Sequence, residues 1–182
     1  MYIVGNFVLP KNNLLFDKIN GGNTCKCQDF FVTLQSKRKA PKIMDNTSFK
    51  DMQLSAHFRL SEFLNLSKYP GNSPSEQDVA NLTYGCLKLQ EPARLHVGPI
   101  IVNSGYRNEQ VNRRVGGVKD SQHLTGQAAD IRPRDPAQFH LLVAFLRANP
   151  STDQLLTGNG WLHISWTPFT RPRHYVRIGY YK

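Results

Sequence analysis

Residues 121–130 read SQHLTGQAAD and place an imidazole and a carboxylate, His123 and Asp130, seven positions apart. Small residues lie between them, and Gly126 permits a sharp turn into QAADIRP, which is typical of a strand. Side chains two positions apart in a strand share a face, so Ala128 and Asp130 are expected on the same side. The pattern predicts that the carboxylate of Asp130 comes round beside the imidazole of His123.

A third side chain with suitable chemistry is His163, in the stretch GWLHISW. Its neighbours Leu162 and Ile164 point to the opposite face of a strand, so its ring projects alone from one side of the sheet. Two imidazoles and a carboxylate leave a fourth tetrahedral position for water, as in a hydrolytic zinc site. Each residue also has a structural interpretation: a strand histidine is often hydrogen-bonded in place, and Asp130 can end a strand or pair with Arg132.

The stretch before the motif is predicted to be largely helical. Ser61 is the predicted N-cap of a short helix. Residues 73–98 predict a long amphipathic helix that Pro92 kinks or splits. Its apolar positions include Val79, Leu82, Cys86 and Leu89. Residues 99–105 predict a buried strand, and residues 108–117 predict a short helix that two glycines terminate.

Strands dominate after the motif. Asp135 is the predicted N-cap of a helix over residues 135–150, with Pro136 at its first position. DQLLT and WLHISW predict a hairpin around residues 158–160, and HYVRIGYY (174–181) predicts a final strand. Helices early and strands late favour an α+β fold with a small, mainly antiparallel sheet packed with helices.

Composition indicates an ordinary soluble globular protein, with 40% hydrophobic and 20% charged residues among 182. Residues 1–55, rich in Lys and Asn, are predicted to form an extension of unknown role with one or two strands, for example at Phe30–Leu34, ahead of a domain over residues 56–182. No apolar run approaches the ~20 residues that cross a bilayer. The opening MYIVGNFVLP lacks the features of a signal peptide, so delivery outside the cytoplasm would need another route.

The net charge of +10 favours a polyanionic partner, either nucleic acid or an anionic cell-wall polymer. Two stretches, SKRKAPK (36–42) and RPRHYVR (171–177), resemble basic patches, and neither contains a nucleic-acid-binding motif. A solvated basic surface is therefore favoured over specific nucleic-acid recognition. The three cysteines, Cys25, Cys27 and Cys86, match neither a disulfide framework nor a zinc clip and are predicted to be reduced thiols.

The pattern S-x-H-x-x-G-x-A-x-D in residues 121–130 resembles the peptidase M15 family of zinc D-Ala-D-Ala carboxypeptidases and phage endolysins. Four further blocks resemble the family in order: HFRLSEF (57–63), LKLQEPARLHVG (87–98), SGYRNEQVNRRVGG (104–117) and DQLL with WLHIS (153–165). The resemblance covers about residues 57 to 166. It implies the D-Ala-D-Ala carboxypeptidase, or hedgehog-like, fold.

The resemblance also implies roles for individual residues. His123, Asp130 and His163 would bind Zn²⁺, and Ser121 would hydrogen-bond the substrate backbone. Arg107 would meet the substrate carboxylate or the developing oxyanion, where charge stabilisation is typically worth several kcal/mol. The alternative for Arg107 is a surface salt bridge, for instance with Glu109.

The implied activity is zinc-assisted hydrolysis of peptidoglycan stem peptides next to D-alanine, by a carboxypeptidase or an endopeptidase, which is expected to be monomeric and phage-encoded. Many relatives place a general base three residues before the last zinc ligand, where this chain has Gly160. Asp153 is the nominated replacement, with Glu109 and Asp120 as further candidates. The alternative is a non-catalytic virion module that binds zinc and peptidoglycan but has lost the general base.

Overall fold

The computed structural model describes residues 52–179. The helices are α1 (Leu60–Leu64), α2 (Glu76–Gly85), α3 (Glu91–Val97), α4 (Glu109–Arg114) and α5 (Phe139–Ala148). The strands are β1 (Ile100–Ser104), β2 (Ala128–Pro133), β3 (Gln154–Thr157), β4 (Leu162–Ser165) and β5 (Tyr175–Arg177). The predicted elements within residues 1–51, including Phe30–Leu34, lie outside the described residues, as do Cys25 and Cys27.

The five strands form one sheet in the order β1-β2-β4-β3-β5. The first four are joined by antiparallel pairs, and β5 pairs parallel with β3. The prediction of an α+β fold with a mainly antiparallel sheet is therefore confirmed. Asp130 of β2 lies opposite His163 of β4, and Leu156 of β3 lies on the other side of His163. The register thus brings the two widely separated segments of the predicted metal site together.

The long helix predicted over residues 73–98 is present, with Pro92 splitting it. Ser75 caps α2, and a π-helical turn, Cys86–Gln90, joins α2 to α3. Pro92 has no N–H to donate, so the regular series of helical hydrogen bonds is interrupted there. The N–H of Glu91 donates to the carbonyl of Cys86, five residues back, as in a π-helix. The four predicted apolar positions are all buried in the core.

Two helix starts differ from the predictions. Ser61 is wrong as an N-cap, because the cap of α1 is Arg59, two residues earlier, whose backbone N–H donates to Glu62. Asp135 does cap a turn, since its side chain accepts a hydrogen bond from the N–H of Ala137. The capped element is a single 3₁₀ turn, Pro136–Gln138, and the α-helix starts only at Phe139.

Residues 52–55 pack with the domain that follows them. The N–H of Leu60 donates to the carbonyl of Met52, and Leu54 is buried in the core. Within residues 52–179, no helix combines the length and the hydrophobicity that crossing a bilayer requires. Helices α1 and α5 contact the sheet, and the core includes Ile131 and Ile164 of its strands. Asp130 and His163 are the neighbours of these core residues along the strands, so they face the opposite side, where the polar centre lies.

Candidate metal centre

A short turn and a glycine bring His123 to the sheet. His123 lies in a 3₁₀ turn, Gln122–Thr125, that ends at Gly126 with φ of +64°. A Cβ at Gly126 would lie 2.4 Å from the carbonyl oxygen of Asp78, so no larger residue fits this turn without movement. The chain then enters β2, which carries Asp130 opposite His163. The sharp turn predicted at Gly126 is confirmed.

Three side-chain atoms converge at this point. His123 Nε2 lies 3.2 Å from His163 Nδ1 and 3.3 Å from Asp130 Oδ1, and His163 Nδ1 lies 2.9 Å from Asp130 Oδ1. Ligands at 2.0–2.1 Å from a tetrahedral zinc ion are separated by about 3.3 Å. The group therefore has the size of three corners of such a tetrahedron, and these residues could hold a metal ion.

The protonation of the group also suits a cation. His123 Nδ1 donates to the carbonyl of Gly105 at 2.5 Å, which leaves the lone pair of Nε2 facing the centre. Burial lowers the pKa of His123, so its ring is neutral near pH 7. Burial also acts to raise the pKa of Asp130, but the contacts of its carboxylate with the two imidazole groups outweigh it and hold that pKa well below its usual value. An ionised carboxylate and a neutral imidazole are ligands that zinc prefers.

Arg107 orients the carboxylate ligand from the outside. Its Nη2 donates to Asp130 Oδ2 at 2.5 Å, and its Nε donates to Ser104 Oγ at 2.9 Å. The alternative pairing of Arg107 with Glu109 is wrong, because Glu109 instead pairs with Arg113 on the exposed face of α4. Groups that hydrogen-bond to metal ligands without contacting the metal fix the orientation of those ligands and raise metal affinity.

The loop that carries Arg107 is fixed by a residue that the sequence did not single out. Asn72 is buried, donates to the carbonyl of Tyr106 at 2.7 Å and accepts from the N–H of Asn108 at 2.8 Å. Gly105 lets the loop approach the helix α1, since a Cβ there would lie 2.6 Å from Phe63. Asn72 stands more than thirty residues from its partners, so no local pattern could have indicated this role.

The centre lies in a cleft of about 850 Å³. Both predicted substrate-binding residues, Arg107 and Ser121, line this cleft. The walls also include four residues from other parts of the chain: Asp120, Trp161, Arg171 and Arg173. The cleft is thus wide enough for a peptide beside the three ligand atoms.

Asp153 lines the same cleft but its carboxylate is fully engaged. It is buried and accepts from the backbone N–H and the guanidinium of Arg173, from Gln122 Nε2 and from Ser165 Oγ. Burial acts to raise its pKa, but the hydrogen bonds from Arg173 prevail and hold it at about 2. A carboxylate with this pKa and these partners is a poor proton acceptor, so the geometry does not favour the general-base role predicted for Asp153.

Gly160 occupies a tight turn between β3 and β4. Its φ is +75°, and the N–H of Gly158 donates to the carbonyl of Trp161 across the turn at 2.8 Å. The hairpin predicted around residues 158–160 is therefore confirmed. The position three residues before His163 supplies no side chain to the centre.

A mixed sheet with helices and a His-Asp-His group in an open cleft is compatible with the class of metal-dependent peptidases. Comparison with protein families finds a match to peptidase M15 over residues 56–165, which is more than half of the chain. The chain belongs to the peptidase M15 family, and the family prediction is confirmed. A comparison with curated proteins gives no match.

Proposed function

We propose that the protein is a zinc-dependent peptidase that hydrolyses bonds in peptidoglycan stem peptides. The observation that supports this most is the convergence of His123 Nε2, Asp130 Oδ1 and His163 Nδ1 within 3.3 Å of one another in an open cleft of a peptidase M15 chain. Zinc held there would acidify a water molecule and polarise the scissile carbonyl.

The side chains around the centre have separate tasks in this proposal. Arg107 holds Asp130 in its ligand orientation and lines the cleft, where its remaining N–H groups face developing negative charge on the substrate. Ser121, at the start of the turn that carries His123, hydrogen-bonds the substrate backbone. Both residues act by binding and orienting the peptide.

Asp120 is the proposed proton acceptor. Three carboxylates line the cleft among the described residues: Asp120, Asp130 and Asp153. Asp130 belongs to the ligand group, and Asp153 is held by Arg173. Glu109 pairs with Arg113 and does not line the cleft. Asp120 is exposed in the cleft, where its carboxylate would take the proton of the attacking water and pass it to the leaving amine.

The test is turnover of synthetic stem peptides that end in D-Ala-D-Ala, with products identified by mass spectrometry. Zinc-loaded protein is expected to cleave them, and chelation should abolish cleavage. Asp120→Asn should lower kcat by a factor of about 10² or more, the usual contribution of a general base, while Asp153→Asn should retain kcat in the folded fraction. Loss of kcat in Asp153→Asn alone would return the role of base to Asp153.

A second candidate function is a module that binds zinc and stem peptides without turnover. The specific observation that favours it is that the usual acid position holds Gly160, while the carboxylate of Asp153 is occupied by its ion pair with Arg173. Binding of stem peptides by zinc-loaded protein, with no product after prolonged incubation, would support this candidate over the peptidase.

A further inference from the structure

The segment Arg171–Arg177 forms a basic strip beside the metal centre. In RPRHYVR, a positively charged or aromatic side chain recurs at every second position, and we define the basic strip as Arg171, Arg173, Tyr175 and Arg177. All four side chains are exposed, whereas Val176 packs on the core. Tyr175 and Arg177 lie two positions apart in β5 and share a face, while Arg171 and Arg173 line the cleft that holds the metal centre. The segment lies beyond the family match, which ends at residue 165.

The register of the sheet places Arg177 on the same face as the ligands. Leu156 lies opposite both His163 and Arg177, and His163 lies opposite Asp130. These four residues therefore form one row across β2, β4, β3 and β5. Neighbouring strands are about 4.8 Å apart, so the backbone of Arg177 lies roughly 10 Å from that of His163 along this row.

Two adjoining hollows lie between the centre and Arg177. The cleft that holds the ligands is also lined by Gln154, Leu156 and Arg173. The same three residues line a second hollow of about 440 Å³, whose other walls are Tyr175 and Arg177. A peptide bound at the centre can therefore continue across β3 to the far end of the strip.

Hydrogen bonds hold the strip in place. Asp153 accepts from the backbone N–H of Arg173 at 2.7 Å, and its carbonyl accepts from the N–H of Tyr175 at 2.9 Å. The guanidinium of Arg173 is engaged by Asp153 and Gln122. Arg173 therefore fixes the segment on the sheet.

We propose that Arg177, with Tyr175 beside it, binds a carboxylate of the peptide substrate about three residues from the scissile bond. Extended peptides span about 3.3–3.6 Å per residue, so three residues cover the roughly 10 Å between His163 and Arg177. The guanidinium provides a charge-assisted contact for that carboxylate. This inference rests on the proposed function. It makes the protein a peptidase that selects acidic peptides.

The test uses two peptides that share the cleaved bond and differ three residues away, where one has a free side-chain carboxylate and the other its amide. For zinc-loaded wild type, kcat/KM is expected to be roughly tenfold higher for the acidic peptide, mainly through KM. Arg177→Gln should bring the ratio close to one, and Arg177→Lys should retain part of it. Arg147→Gln, which removes an exposed arginine from α5, is the matched control and should keep the wild-type ratio.

A ratio in Arg177→Gln equal to that of folded wild type would overturn the proposal, as would a wild-type ratio of one. If wild type cleaves neither peptide, the proposed function fails, and the strip is then tested by binding alone. Fluorescence anisotropy of the two labelled peptides should still show tighter binding of the acidic one to wild type but not to Arg177→Gln. Equal binding of both peptides by wild type would refute the proposed role of Arg177, whether or not the protein cleaves them.

Discussion

At the scale of single residues, Asp130 is the most constrained side chain of the centre. One of its oxygens faces both imidazoles, and the other accepts a hydrogen bond from Arg107. A ligand carboxylate held at both oxygens cannot rotate away from the ion. Metal affinity should therefore depend on a residue that never touches the metal.

Arg107→Ala is expected to weaken zinc binding by about 10- to 100-fold, the usual effect of removing a group that orients a metal ligand. Competition with a chromophoric chelator measures this affinity without any need for activity. Arg113→Ala, which removes an exposed arginine of α4, should leave the affinity unchanged. Equal affinity in Arg107→Ala and wild type would show that Asp130 needs no such support.

Gly126→Ala is expected to destabilise the fold by more than the cost of placing an alanine at a positive φ. Gly116 also has a positive φ, but a Cβ there would meet nothing within 4 Å, whereas at Gly126 it would meet the carbonyl of Asp78. Urea denaturation should give Gly126→Ala a free energy of unfolding about 1–3 kcal/mol lower than that of Gly116→Ala, which is the usual cost of overpacking. An equal loss of unfolding free energy in the two variants would show that the turn moves enough to accommodate the added methyl group.

The sequence indicated the candidate metal ligands, but it did not indicate the hydrogen-bond partners of the other residues in the cleft. His123 and Asp130 are close in the chain and separated by small residues, so their convergence could be predicted from spacing. The ion pair of Asp153 could not be predicted, because its partner Arg173 is twenty residues away, just before β5. Burial and ion pairing of this kind depend on tertiary structure, which no local pattern encodes.

At the scale of elements, the strand β5 depends on one carboxylate. Asp153 accepts hydrogen bonds from both the backbone and the side chain of Arg173, two residues before β5 begins. Three residues pair with β3 in this strand, so few ladder hydrogen bonds support it. The ion pair is therefore expected to fix the C-terminal segment on the sheet.

This dependence predicts a specific response to acid. The pKa of Asp153 is held at about 2, below the ordinary value of about 3.9 expected in the unfolded chain. Its ionised form thus stabilises the fold above about pH 4, and this contribution is lost as the pH falls towards 2. Metal-free wild type should be more stable than Asp153→Asn at pH 6, and the difference should narrow by pH 2.5. A constant difference across this range in urea denaturation would contradict the assignment.

The elements themselves were largely predictable from the sequence. The apolar spacing and Pro92 indicate the long helix and its interruption, although not the π turn that relieves it. The pairing of β5 was not predictable, because the stretch HYVRIGYY does not reveal which edge of the sheet it joins or in which direction. Short strands have little pattern of their own, and their partners are chosen by the whole sheet.

At the scale of the whole molecule, the centre joins segments that are far apart in the chain. His123, Asp130 and His163 come from a turn and two strands, and Arg107 reaches them from a loop after β1. A metal that binds only when these segments are together must stabilise the folded state. The fold and the centre are therefore thermodynamically linked.

Zinc at a hundred times its dissociation constant should stabilise wild type by about 2.7 kcal/mol, which corresponds to a rise in Tm of roughly 10 °C for a domain of this size. His163→Ala should show no comparable rise. His140→Ala changes an exposed histidine of α5 and should respond as wild type does. Differential scanning calorimetry in the presence and absence of zinc measures these shifts. An equal rise in His163→Ala would place the stabilising metal elsewhere.

We propose that His123, Asp130 and His163 together hold one zinc ion. Anomalous diffraction at the zinc edge tests this proposal most directly. The expected result is a single strong peak at roughly 2.0–2.2 Å from His123 Nε2, Asp130 Oδ1 and His163 Nδ1. A zinc-loaded crystal with no peak among these three atoms, or with its zinc bound elsewhere in the chain, would contradict it.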